Sequence, residues 1–128
     1  MKKLFNILFI LFISLCYFSC ASNKEIPTDL TAAQYLQKGQ AAYNNQNYSL
    51  AEKYYLQAID QYGYNTEIYI ESKYELGHLY IQTKQYDKAY EIFTEILEIY
   101  DYAAINDLPP AYKKLANIEL NKIPKNQK

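Results

Sequence analysis

The side chains best able to do chemistry near neutral pH are few. They are one histidine, His78, two cysteines, Cys16 and Cys20, and helix-spaced carboxylates such as Glu91 with Glu95 and Glu95 with Glu98. Two Cys and one His cannot complete a four-ligand zinc site. Neither a glycine-rich phosphate loop nor a Ser-His-Asp set is present. Carboxylates at those spacings are most simply solvated helix faces, and a glycosidase pair would have to face across a cleft. His78 reads most simply as a solvent-facing polar residue, with a catalytic base a remote alternative. The expectation is a chain that is not an enzyme, with no cofactor, no catalytic residue and no metal site.

Composition points the same way. The 128 residues allow one domain. All 13 basic residues are Lys, and with 14 acids the formal charge is −1. Nucleic-acid binding usually needs a basic face and forked guanidinium donors, so that class of partner is excluded. Only 3 Gly and 4 Pro accompany 16 Tyr, which favours helix over a turn-rich β architecture.

Cys20 invites a different chemistry. Met1-Lys2-Lys3 is a cationic start, and Leu4 to Phe18 is apolar except for Asn6, Ser14 and Cys16. A run of about fifteen residues is short for a membrane span but suits the core of a secretory signal. It ends Leu15-Cys16-Tyr17-Phe18-Ser19-Cys20 and turns polar at once. A small residue directly before a Cys at the end of a signal core resembles the lipobox of bacterial lipoproteins. That resemblance implies a signal peptide over 1–19, cleavage after Ser19, and alkylation of the Cys20 thiol with diacylglycerol followed by acylation of its amine. Tyr17 and Phe18 depart from the usual Leu and small residue. Cys16 is a poor alternative, because Leu15 precedes it, and the competing reading is an uncleaved N-terminal anchor. Two or three acyl chains at about 0.8 kcal/mol per buried CH₂ would hold the protein on the membrane almost permanently. Ala21 and Ser22 lack an inner-membrane retention Asp, which favours the outer membrane of a bacterial envelope. Loss of Lys2 and Lys3 would take the charge from −1 to −3.

Residues 22–30, polar and holding Pro27, read as a tether of at most about 30 Å, so that 20–31 joins the lipid to the domain. Helices are expected near 32–45, 50–62, 67–83, 88–101 and 108–121. The starting signals are capping boxes at Thr31 with Gln34 and Ser49 with Glu52, and caps at Asp87 and Asp107, with Pro109 and Pro110 in the last helix's first turn. Asn44 to Asn47 is a turn of residues that tolerate a left-handed backbone, and Gly63 stops the second helix.

Self-comparison is the most informative step. Gly39, Tyr48, Ala51 and Tyr55 recur as Gly77, Tyr86, Ala89 and Phe93, each 38 positions on. With Tyr35, Ala58, Leu76 and Tyr80, this resembles the tetratricopeptide repeat, a 34-residue helix–turn–helix unit. The small residues let paired helices approach, and the aromatics fill the space around them. The four extra residues, about one helical turn, are placed at 67–70. Tyr112, Leu115 and Ala116 restart the pattern as a closing helix. Departures are Lys38, Lys73 and Ile96, where the family prefers Leu, a large apolar residue and Ala. The expected fold is all-α: a helical-hairpin array of two repeats plus a closing helix over 32–121, then a basic tail at 122–128.

The resemblance implies a partner-binding groove. Its projected positions are Leu36, Gln40, Tyr43 and Asn44 in the first repeat and Tyr74, His78, Ile81 and Gln82 in the second. Lys113, Asn117, Leu120 and Asn121 follow in the closing helix. This mixed surface suits an extended peptide or a partner helix. Some family members clamp acidic chaperone tails, but only Lys113 and Asn117 mimic one arm of that clamp, so the activity is not carried over. Charge is segregated: 52–107 hold eleven acids and four Lys, whereas 108–128 hold five Lys and Glu119. The tail is either a solvated helix end or a contact for anionic lipid or an acidic partner. The functional expectation is a lipid-anchored adaptor that binds other proteins or peptides. The alternative is a self-associating structural lipoprotein, a homodimer through Tyr-rich surfaces.

Overall fold

The computed structural model describes residues 26–102 and 108–127. The expected signal core, Ser19, Cys20 and Asp107 lie outside the described residues. Within them the chain forms α1 (Ala32–Asn44), α2 (Tyr48–Tyr62), α3 (Thr66–Gln82), α4 (Tyr86–Tyr102) and α5 (Pro110–Lys122), then a 3₁₀ turn at Lys125–Gln127. No strand is present among the described residues. Each helix packs on the next, and α3 also touches α1 and α5. The odd-numbered helices therefore lie side by side, with α2 and α4 behind them.

Local sequence explains the boundaries. Thr31 forms the capping box, its hydroxyl accepting from Gln34 N at 3.3 Å while Gln34 Oε1 accepts from Thr31 N at 2.8 Å. The second cap differs from expectation. Asn47, not Ser49, caps α2 by accepting from Leu50 N at 3.3 Å, because the preceding turn closes early enough for α2 to start at Tyr48. Asn65 caps α3 through Glu67 N and Ile68 N. Asp87 lies inside the first turn of α4, where its charge meets the helix dipole instead of capping it. The cap position of α5 is Pro109, which offers no side-chain acceptor, and Pro110 opens the helix.

The two inter-helix turns are copies. Asn47 N donates to Ala42 O and Gln46 N to Tyr43 O, and Gln85 N to Tyr80 O and Lys84 N to Ile81 O repeat this 38 residues on. These are Schellman closures. Their left-handed residues are Gln46 (φ 59), not the asparagines beside it, and Lys84 (φ 60). Gly63 ends α2 in a right-handed conformation. In the 38-residue register Ala32 matches Ile70, so α3 starts one turn early at Thr66–Tyr69, one residue before the span 67–70 expected for the extra turn.

The core follows the repeat. Tyr55, Ala51 and Ala58 of α2 and Ala89, Phe93 and Ile96 of α4 are fully buried, joined by Ile70, Leu76 and Leu79 of α3 and Ala116 of α5. Each large apolar side chain contributes about 1.5–3 kcal/mol of burial. Ile123 is also buried, so the helical domain runs past 121 and takes in the first residues of the basic tail. The tether is shorter than expected as well. Tyr35 donates to Pro27 O at 2.6 Å, Tyr62 to Leu30 O at 2.7 Å and Gln61 to Thr28 O at 3.3 Å, tying 27–30 onto α1 and α2.

One further expectation changes. Glu95 is not a solvated carboxylate: it accepts from Lys73 Nζ at 2.7 Å and from the Tyr69 hydroxyl. Lys73 also sits 5.2 Å from the Tyr69 ring centroid. This triad explains a lysine where the repeat prefers an apolar residue, since its stem packs while its head is paired.

Candidate functional site: an aromatic and acidic groove

Residues 71, 74, 75 and 78 fall on one face of α3 by helical spacing, and that face lies between α1 and α5. From it an aromatic row draws on four helices. Tyr43 of α1 lies 5.6 Å from Tyr48 and 5.6 Å from His78, measured between ring centroids. His78 stacks on Tyr74 at 6.2 Å, and Tyr74 reaches Tyr112 of α5 at 5.5 Å. These rings are partly exposed, and Leu36 and Ile81 are half-buried beside the core. Gln40, Asn44 and Gln82 are exposed, with Gln82 Nε2 3.5 Å from the Tyr48 hydroxyl. Tyr43, Tyr74 and His78, three of the projected groove residues, are thus brought into one row.

Lys113 and Asn117 are placed elsewhere. Lys113 pairs with Asp101 of α4 at 2.9 Å, and Asn117 donates to Lys113 O at 2.8 Å. Both line a hollow of about 420 Å³ with Tyr100, Leu108, Pro110 and Lys114. The cause is the rotation of α5. Burial of Ala116 and Glu119 turns Tyr112 and Glu119 toward α3, and the next residue along a helix points about 100° away. Leu120 is half-buried against the core, and Asn121 is exposed.

The carboxylates of the groove were missed by the repeat projection. Glu119 is 3% exposed, and its Oε1 meets His78 Nδ1 at 3.2 Å and Lys122 Nζ at 2.7 Å. Its Oε2 is buried with no partner in bonding geometry. Glu71 and Glu75 of α3 stand nearby, each with its carboxyl raised above the usual range, by burial first and then by neighbouring carboxylates. The phenols report the same field. Tyr74 is pushed up to about 12 by burial and by Glu119 and Glu75, and Tyr112 to about 12 by burial and by Glu71 and Glu75. Tyr55, fully buried, reaches toward Glu75 and Tyr43, and its hydroxyl also lacks a partner in bonding geometry. Hydropathy spacing could not find Glu119, because a carboxylate facing the groove looks like a surface residue until α5 is docked.

His78 meets a carboxylate and two phenol rings, with no hydroxyl or thiol nucleophile in bonding distance among the described residues. Nor, among those residues, is any group of three His, Cys, Asp or Glu placed to hold a metal ion. No helix of the described residues is long and apolar enough to cross a membrane.

The duplicated hairpin, with its close-approach glycines and copied turns, matches a family model twice, over residues 34–63 and 70–101, and the model describes a tetratricopeptide repeat. The chain is a tetratricopeptide-like array of helical hairpins. Repeats of this family are generally non-enzymatic modules that bind other proteins. The repeat chain is also 31% identical over 109 residues to an uncharacterized protein of Treponema pallidum (strain Nichols). That match takes in 83% of this chain and 44% of the relative, so the chain spans less than half of that protein's length. No solved structure matches the chain.

Proposed function

We propose that this protein is a lipid-anchored adaptor of the bacterial cell envelope that binds a partner protein or peptide along the groove of its two repeats. The observation that carries the binding role is the aromatic row Tyr48–Tyr43–His78–Tyr74–Tyr112, which joins α1, the start of α2, α3 and α5 on one partly exposed face. Aromatic rings supply large contact area with few torsions to immobilise. The anchoring role rests on the sequence Ser19-Cys20 after an apolar run. The segment 27–30, tied down by Tyr35 and Tyr62, would then hold the domain close to the bilayer, in the outer membrane by the residues after Cys20.

Two measurements test this. Radiolabelled palmitate should label the wild type and not Cys20→Ser; equal labelling rejects the lipid anchor. Crosslinked capture from cells should lose its partners in Tyr43→Ala/Tyr74→Ala; unchanged recovery rejects the groove as the binding face.

Self-association is favoured by a separate observation. Tyr64, just past the end of α2, and Tyr102, the last residue of α4, are also 38 residues apart and are 84% and 89% exposed. Sedimentation of the detergent-solubilised full chain decides between the readings. A tight dimer dispersed by Tyr64→Ala/Tyr102→Ala supports the structural role, and a monomer supports the adaptor.

A further inference from the structure

The groove has a sign. Glu71, Glu75 and Glu119 face it, and among the described residues one ammonium, Lys122, answers them. That ammonium and His78 both meet Oε1 of Glu119, and Oε2 is buried with no donor in bonding geometry, although the Tyr74 phenol is directed at this carboxylate. The Tyr55 hydroxyl, fully buried on the same side, is directed at Glu75, although outside bonding geometry. A buried carboxylate oxygen without a donor is costly, and a charged donor is its strongest partner. The surrounding walls are phenol rings, which attract organic cations through their faces. Among the described residues no group of three His, Cys, Asp or Glu is placed to hold a metal ion, and the phenol faces suit an organic cation.

We infer that the groove takes an extended partner segment by a lysine or arginine side chain, which lies along the exposed sides of Tyr43, Tyr74 and Tyr112 and brings its cationic head toward Glu75 and Glu119. This deepens the adaptor reading and rests on it. The inference has a direct corollary: acidic segments are rejected, because an incoming carboxylate would meet three like charges and one ammonium. The raised carboxyls of Glu71 and Glu75 accord with a site short of positive charge.

The test uses the full chain in detergent micelles and four small probes: the N-acetyl methylamides of arginine, lysine, norleucine and glutamate. Binding is read by NMR shifts of the tyrosine rings. The two cations should shift Tyr43, Tyr74 and Tyr112 saturably, whereas norleucine and glutamate should not. Glu75→Gln, which leaves the Glu119 network intact, should weaken the cations about tenfold, and Glu75→Gln/Glu119→Gln should abolish the shifts while helical circular dichroism is kept. If the double variant loses its helical signal, Glu75→Gln alone decides. Equal shifts from norleucine, no shift from either cation, or undiminished binding by Glu75→Gln overturns the inference. Partner capture separates the two readings. If Tyr43→Ala/Tyr74→Ala loses the partner and Glu75→Gln/Glu119→Gln keeps it, the groove binds but not through a cation; if both keep it, the adaptor groove itself is rejected.

Discussion

The ring of Tyr55 occupies the space that a side chain at Gly39 would need: a Cβ there would stand 2.7 Å from Tyr55 Cδ1. The second repeat copies the relationship, with a Cβ at Gly77 falling 2.8 Å from Phe93 Cζ and 3.0 Å from Ile92 Cγ2. In each hairpin the glycine sets how closely the paired helices approach.

Gly39→Ala and Gly77→Ala should each destabilise by about 1–3 kcal/mol, because overpacking outweighs the gain in helix propensity. Urea unfolding measures this, and an unchanged or raised midpoint would show that the rings yield. Tyr55→Leu should recover part of the loss in the Gly39→Ala background.

At the left-handed turn positions the opposite outcome is expected. Gln46 and Lys84 adopt φ near +60° without the freedom of glycine. That conformation costs an L residue about 1–2 kcal/mol, partly offset by the greater unfolded-state entropy of Gly. Gln46→Gly and Lys84→Gly should each stabilise by about 0.5 kcal/mol. A fall in thermal midpoint would mean the side chains contribute more than the backbone strain removes.

Acid should release the Lys73–Glu95 pair. Burial raises the Glu95 carboxyl, but hydrogen bonds from Lys73 and Tyr69 and the Lys73 charge outweigh it, leaving the folded value below the ordinary one. Its stabilisation is therefore present above the unfolded carboxylate value and lost as pH falls through the lowered folded value. In a double-mutant cycle the pair should couple by about 0.5–1 kcal/mol at neutral pH and by nothing in strong acid. Coupling that persists in acid would refute the assignment.

Glu75 carries the reverse sign. Its folded carboxyl is raised, by burial first and by Glu71, although His78 and Tyr55 oppose this. The folded state prefers it protonated, so its stabilisation is present in acid and lost as pH rises through the raised value. Glu75→Gln should raise the thermal midpoint at neutral pH, with the advantage vanishing below the ordinary carboxylate range. A midpoint lowered at neutral pH would show that the charge is already compensated.

Release of the N-terminal segment offers a local readout. Tyr35→Phe and Tyr62→Phe each remove a hydrogen bond to 27–30, worth about 1 kcal/mol. Proteolysis within residues 26–31 should quicken while the α3–α4 hairpin keeps its amide protection. Equal cleavage of variant and wild type would show that the segment is held by other contacts.

Much of this fold was legible in the sequence because its governing requirements are local and repeated. A glycine and an aromatic sixteen residues apart, recurring after 38, state a helical hairpin and its register, and the Thr31 box states where the first helix begins. The surplus of tyrosine was legible only as a surplus. Docked helices give Tyr62, Tyr69 and Tyr100 acceptors at Leu30, Glu95 and Pro109, and leave Tyr64 and Tyr102 exposed.

The sequence by itself thus determined the all-α class, the duplicated unit, the place of the extra turn and the residues that crowd between helices, since each depends on spacing within one hairpin. Tertiary structure alone decided the character of the groove. His78 and Glu119 are 41 residues apart, and they meet because Ala116 packs α5 in one rotation that sends Tyr112 and Glu119 inward and Lys113 and Asn117 toward α4. Helix rotation is set by the surface a helix docks against, which no periodicity within that helix records.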